Sequence, residues 1–251
     1  MKSLQEYINE SESKTDLSTN KVQPKTKDEL KEIIKDTFEH KQYDLNFINT
    51  SEITDMSKLF MNCKYDFDIS EWDVSNVTNM NHMFYDCDNF NCDLSKWNVS
   101  KVVNMFSTFS SCKKFKGKGL ENWDVSAVTD MHYMFYECEN LNCDLSDWDV
   151  SNVTNMWHLF DGCKKLDCDL SDWNVSKVKD MTSMFSGCKN FNCNLSRWNM
   201  SKVRNISYMF YNCTSFKGER LYMWDVSNID DAIKTFKGCN KLTIPDWYDK
   251  L

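Results

Sequence analysis

Twelve cysteines in 251 residues are the side chains most able to do chemistry in this chain. Thiols in that number form disulfides in an oxidising compartment, hold zinc, or pack reduced as small hydrophobes. Spacing sorts them. Eight (Cys63, Cys87, Cys112, Cys138, Cys163, Cys188, Cys213, Cys239) each follow a phenylalanine by three residues, and four more (Cys92, Cys143, Cys168, Cys193) lie five residues after a member of the first set. Half of the units lack the second cysteine, which argues against C-x4-C bridges as the rule. No histidine falls in a matching column, which argues against zinc. The favoured reading is a buried ladder of reduced thiols, with a bridge within a pair such as Cys87 and Cys92 as the main competitor.

Histidine and carboxylate offer little for catalysis. His82 and His158 share one column, His132 sits one position earlier, and His40 is far upstream, so no two reach a common nucleophile. Asp73, Asp124, Asp147, Asp149 and Asp172 recur beside tryptophan and read as turn and solvated positions. An acid and base pair would need them unequally buried. No catalytic residue, metal or cofactor is expected. Thirty basic against 38 acidic residues give a net charge of −8, which disfavours nucleic acid and anionic lipid. Six glycines leave little room for a phosphate cradle.

The elements that must position these residues come from a repeat. Trp72, Trp97, Trp123, Trp148, Trp173, Trp198 and Trp224 recur with a period of 25 residues, occasionally 24 or 26, in phase with the Phe-x-x-Cys pairs. One residue is added within Phe115–Leu120 and within Phe216–Leu221, which marks a loop there. In LSDWDVSNVTNMWHLFDGCKKLDCD, from Leu145, the residues Leu145, Trp148, Val150 and Val153 have the spacing of a short extended segment. Val153, Met156, Leu159, Phe160 and Cys163 have that of a short helix, with Ser151 or Thr154 to cap it. A unit this small cannot bury its apolar face alone, so neighbours must stack. At about 4.8 Å per rung, seven or eight rungs span on the order of 35 Å.

The recurring WDVSNVTNMxxMFxxCxxFNCDLS resembles the repeat of BspA-like leucine-rich-repeat proteins of bacterial surfaces, whose signature is W-D-x-S-x-V-x-x-M-x-x-M-F. The match covers about residues 45–247. The resemblance implies a solenoid used in adhesion or protein recognition, mainly in surface or secreted proteins, with no enzymatic activity. This chain departs from it in showing no leader and in placing cysteine where many members carry alanine or another small residue.

The expected fold is therefore an α/β, leucine-rich-repeat-like solenoid with one short strand and one short helix per 25-residue repeat. Residues 1–25 read as a mobile polar segment, 26–44 as an N-terminal capping helix and 45–251 as the repeat array with a C-terminal cap. In the helix, Leu30, Ile33, Ile34 and Phe38 share a face, and Thr26 with Glu29 forms a capping box. Ile244–Tyr248 is expected to break the register and close the last rung.

Positions that vary while the framework stays fixed are the candidates for recognition. One line is aromatic: His82, Tyr85, Phe106, His132, Tyr133, Tyr136, Trp157, His158, Tyr208 and Tyr211. Such a line suits a protein partner or a platform that stacks on sugar rings, while the plainer reading is that it covers the outer side of the array. A second stripe is basic: Lys177, Lys179, Lys202 and Arg204. The expectation is a monomeric recognition module with a protein partner, or alternatively a glycan, and no membrane span. With no signal peptide, it would be cytoplasmic or exported by a non-classical route.

Overall fold

The computed structural model describes residues 15–16 and 21–251. Of the segment 1–25, all but Thr15–Asp16 and residues 21–25 lies outside the described residues. An antiparallel ribbon of β1 (Thr15–Asp16) and β2 (Lys21–Val22) precedes helix α1 (Lys27–Glu39). Thr26, extended at φ −133°, caps α1 by accepting the N–H of Glu29 at 3.2 Å. The Glu29 carboxylate accepts the N–H of Lys25 at 2.7 Å, and Asp28 and Glu29 sit where the helix dipole is positive. Leu30, Ile33, Ile34 and Thr37 are buried, and the Phe38 ring lies 6.5 Å from that of Phe60. The apolar face of α1 thus covers the first repeat.

From there successive repeats lie side by side. Parallel bridges run from Asp55 to Asn79, Asn104, Asp130, Asn155, Asp180, Asn205 and Asp231, one residue per repeat. The N–H groups of Met156, His158, Phe160 and Gly162 donate to the carbonyls of Asp180, Thr182, Met184 and Ser186 at 3.2, 2.9, 2.9 and 2.7 Å. The same step-of-two pattern links the next pair of rungs, from Met181, Ser183, Phe185 and Gly187 to Asn205, Ser207, Met209 and Tyr211.

This ladder corrects the expected element content. The segment from Val153 to Cys163 is a series of turns, not a helix: the N–H of Leu159 closes on Met156 and that of Cys163 on Phe160. Backbone φ becomes positive at every fourth residue, at His158 (54°) and Gly162 (80°), which an α-helix cannot accommodate. A helix of two turns is too short to be stable by itself, whereas the rung ahead offers carbonyls to alternate N–H groups. The expected strand is also absent. Leu145, Trp148, Val150 and Val153 are buried as their spacing requires, but turns close from Trp148 to Leu145 and from Val153 to Val150.

A regular rung has three corners, built by side chains that mimic a backbone turn. Asp144, Asp149 and Asn155 accept the N–H groups of Ser146, Ser151 and Trp157 at 3.0, 2.9 and 3.0 Å. Asn155, rather than Ser151 or Thr154, therefore starts the turn segment. The repeated Asp and Asn residues are corner pieces, and bonding to the charged form holds carboxyls such as Asp124 and Asp149 below their usual range, first through Ser126 and Ser151.

The interior is a set of stacked columns. Rings of Trp97, Trp123, Trp148 and Trp173 lie 6.3–6.5 Å apart with planes within 2°. Each indole N–H donates one repeat back, as from Trp148 to the carbonyl of Leu120 at 2.8 Å. Phe109, Phe135, Phe160 and Phe185 stack at 5.6–5.7 Å. The extra residues in Phe115–Leu120 and Phe216–Leu221 are absorbed by single 3-10 turns at Leu120–Asn122 and Leu221–Met223. Gly119, at φ 95°, is required there, since a Cβ would lie 2.1 Å from the backbone nitrogen of Ser95. At the far end the tryptophan register continues instead of breaking: Trp247 stacks on Trp224 at 6.2 Å and donates to Leu221. Among the described residues no helix is long and apolar enough to cross a membrane.

Candidate functional site

The aromatic line arises from two adjacent positions after the bridging residue of each rung and, for Tyr85, Tyr136 and Tyr211, from a position three residues further on. The second of the adjacent pair, occupied by His82, Ser107, Tyr133, His158, Ser183 and Tyr208, always has φ between 52° and 57°. Such a φ strains a non-glycine residue by about 1 kcal/mol, and the ladder hydrogen bonds impose it. Because serine and lysine (Lys58, Lys234) share the conformation, the strain belongs to the framework and marks no special chemistry.

The structure brings most of the aromatic candidates into one ridge on the early and middle rungs. Phe106 stacks on His132 at 4.0 Å and 17°, His132 on Trp157 at 6.5 Å and 7°, and Tyr133 on His158 at 4.7 Å and 6°. His82 meets the Phe106 ring edge-on at 4.5 Å and Tyr85 at 5.4 Å. Tyr136 abuts Tyr133 at 5.4 Å. Most members are half-buried, and Trp157, at 37% exposure, is the outermost. The ridge stops at Thr182, Ser183 and Ser186, so Tyr208 and Tyr211 form a separate pair, 5.7 Å apart, beyond that polar gap. Lys234 lies over the Tyr208 ring at 5.5 Å.

Polar partners hold the ridge rings in place. His132 Nδ1 pairs with Asp130, His158 Nδ1 with Asp161 at 2.7 Å, and His82 Nδ1 with Asn81. Burial pushes His82 down, helped by Lys58, and pushes the Tyr133 and Tyr136 hydroxyls up, Tyr136 to about 12. Among the described residues no hydroxyl or thiol donates to these imidazoles, and the His–Asp pairs orient the rings.

The basic stripe is partly spent on the framework. Lys177 Nζ donates to Asn152 at 2.7 Å and Arg204 pairs with Asp230 at 3.1 Å, while Lys179 and Lys202 are exposed. Those four residues precede the bridging corner and the aromatic positions follow it, so they are distinct surfaces. Residues Asn152 and Asn76, in the sequence pattern N-x-T, likewise donate to the rung behind, at Ser126 and Ser51.

All twelve cysteines are unpaired thiols. In the first column every Sγ after Cys63 donates to a phenylalanine carbonyl one repeat back, as from Cys163 to Phe135 at 3.0 Å and from Cys188 to Phe160 at 3.0 Å. That regular bond is a feature spacing alone did not reveal; the constant Phe-x-x-Cys phase was its only trace. In the second column Cys168 and Cys193 line an open cleft of about 510 Å³ with Arg197 and Arg220. Burial pushes Cys193 up to about 12 and Cys168 further, so neither supplies a thiolate nucleophile near neutral pH. Among the described residues no group of three His, Cys, Asp or Glu side chains is placed to hold a metal ion.

The repeat register and the match to known families agree. The family described as "Mycoplasma protein of unknown function, DUF285" matches residues 28–148 and again 129–247. The chain belongs to this family. Two overlapping copies of the family pattern cover the chain from α1 to Trp247, consistent with a repeat protein. No curated protein matches the chain.

Proposed function

We propose that the chain is a leucine-rich-repeat-like solenoid of the BspA-like kind and acts as a non-catalytic recognition or scaffold module for a protein partner. Its lateral ridge from His82 to His158 is the binding surface. The observation that carries this reading is the orientation of the rings. Phe106, His132 and Trp157 lie nearly parallel along the ridge, as do Tyr133 and His158, so neighbouring rungs occupy their faces and leave mainly edges and polar tips outward. Rings that stack on sugars need open faces, whereas edges, a half-exposed indole and phenolic hydroxyls suit a protein surface. Rungs tied by three or four ladder hydrogen bonds each also favour a rigid surface that changes little on binding.

The glycan-binding adhesin is the second reading, favoured by the exposure of Trp157. The two separate in one comparison. The chain and its Tyr133→Ala/Trp157→Ala variant are assayed in parallel on a displayed peptide and protein-domain library and on a glycan array. Protein ligands lost by the variant support the proposal; glycan binding lost by the variant, with no protein ligand, replaces it with the adhesin. Protein ligands that both retain would move the site elsewhere, with the Lys179 and Lys202 face next to be tested by charge reversal.

A further inference from the structure

The two ends of the stack carry complementary, unfilled hydrogen-bonding edges. Within the stack, N–H groups at alternate residues of each rung donate to carbonyls of the next, as from Met56, Lys58, Phe60 and Asn62 to Asn79, Asn81, Met83 and Tyr85. In the last rung the equivalent donors are Ala232, Lys234, Phe236 and Gly238, and their N–H groups hold no hydrogen bond among the described residues. In the first rung the equivalent acceptors are Asp55, Ser57, Leu59 and Met61, and their carbonyls likewise accept none. One end is a row of donors and the other a row of acceptors, in the same register.

We propose that chains associate end to end, the donor edge 232–238 of one copy docking on the acceptor edge 55–61 of a second. The occupant is a second copy because the edge is not a strand edge. Lys234 and Gly238 have φ of 53° and 87°, matched by Lys58 and Asn62 at 58° and 64°, so the donors follow a path of turns. An extended peptide spaces its carbonyls as a strand and misses this register, whereas another rung of the same repeat meets it. Exposed apolar residues flank both edges: Ile233 is 57% exposed, and Met61 is 39% exposed beside a groove of about 580 Å³ formed with α1.

The caps limit how strong this contact is. Phe38 of α1 covers Phe60, Lys27 reaches Asp55 and Ser57, and Tyr248 packs on Phe236 at 5.1 Å while donating to Ala232. The interior columns are therefore closed at both ends, and docking is confined to the outer turn ladder. The contact is heterologous, so it generates open chains whose length rises with concentration instead of a closed dimer. This places a self-association surface apart from the lateral ridge and sets aside the monomer expected from the sequence.

Sedimentation velocity on the full chain tests it, with Met61→Glu blocking the acceptor end and Ile233→Glu the donor end. Both positions are exposed, and matching melting temperatures establish that the variants fold. The wild-type chain is expected to grow in mean mass across a hundredfold rise in concentration. Each variant alone stays monomeric, and an equimolar mixture stops at the heterodimer, because only one compatible pair of ends remains. A wild-type chain monomeric throughout, a single variant that grows like wild type, or a mixture that stays monomeric or grows past two overturns the proposal.

Discussion

The interior columns and the lateral ridge are made by the same 25-residue unit, yet they obey opposite rules. In the interior the repeated indole and thiol donors share one kind of destination: the Trp148 indole donates to Leu120 and the Cys163 thiol to Phe135, each one rung back. On the ridge the equivalent positions hold His82, Ser107, Tyr133, His158, Ser183 and Tyr208, and their partners differ from rung to rung. The lesson is that the backbone ladder, not the side chains, fixes the ridge conformation. Side chains there are free to vary while the interior is not.

The largest effect that would test this contrast is alkaline unfolding. Thiols of an unfolded chain ionise near pH ~8.5, whereas burial holds the folded ones higher, Cys239 to about 11 and Cys92 and Cys143 to about 12. A raised folded pKa means that the folded chain keeps protons the unfolded chain has lost. The stabilisation is complete below about pH 8.5 and is lost as pH rises toward those folded values. Urea midpoints are expected to fall steadily from about pH 8 upward. A flat profile to pH ~11 would mean that the thiols are not buried as described.

Next in size is Phe160→Ala in the middle of its column. Phe160 is fully buried and stacks on rings in both neighbouring rungs. The expected loss is about 3–5 kcal/mol, read from chemical denaturation. Cys163→Ala should cost less, about 1 kcal/mol, because the Phe135 carbonyl keeps the N–H of Cys138 when the thiol donor is lost. If Cys163→Ala costs as much as Phe160→Ala, the thiol ladder holds the rungs together more strongly than a hydrogen bond to a shared acceptor can. Smallest is Trp157→Ala on the ridge, expected to change stability by less than about 1 kcal/mol. A larger loss in the thermal melt would erase the distinction between ridge and interior.

Much of the interior was legible because a repeat shows its inward positions many times over. Trp148, Val150, Val153, Met156, Phe160 and Cys163 were all identified by spacing, and all are buried. The helix expected from Val153 to Cys163 is a misreading with a clear cause. A three-and-four spacing describes any path that returns to the core every three or four residues, and paired turns do so as well as a helix. The clue was present in Gly162, Gly187 and Gly238 before the column cysteines, since glycine there marks a positive φ that Asp86, Ser111, Glu137 and Asn212 also adopt. The ridge was legible as a list but not as a cluster: nothing in the spacing separates Tyr208 and Tyr211 from the rest. That separation depends on which neighbours are small, and Thr182, Ser183 and Ser186 interrupt the stack only once rungs lie side by side.

By itself the sequence determined the period and the inward set, because these depend on residue type at fixed separations along the chain. The tertiary structure decided where the backbone hydrogen bonds go. An N–H group such as that of His158 can turn back to its own segment or forward to Thr182, and only a neighbouring rung at hydrogen-bonding distance makes the second choice available. That choice replaces helices with turns, aligns the ridge rings face to face, and leaves one row of donors and one row of acceptors at the two ends.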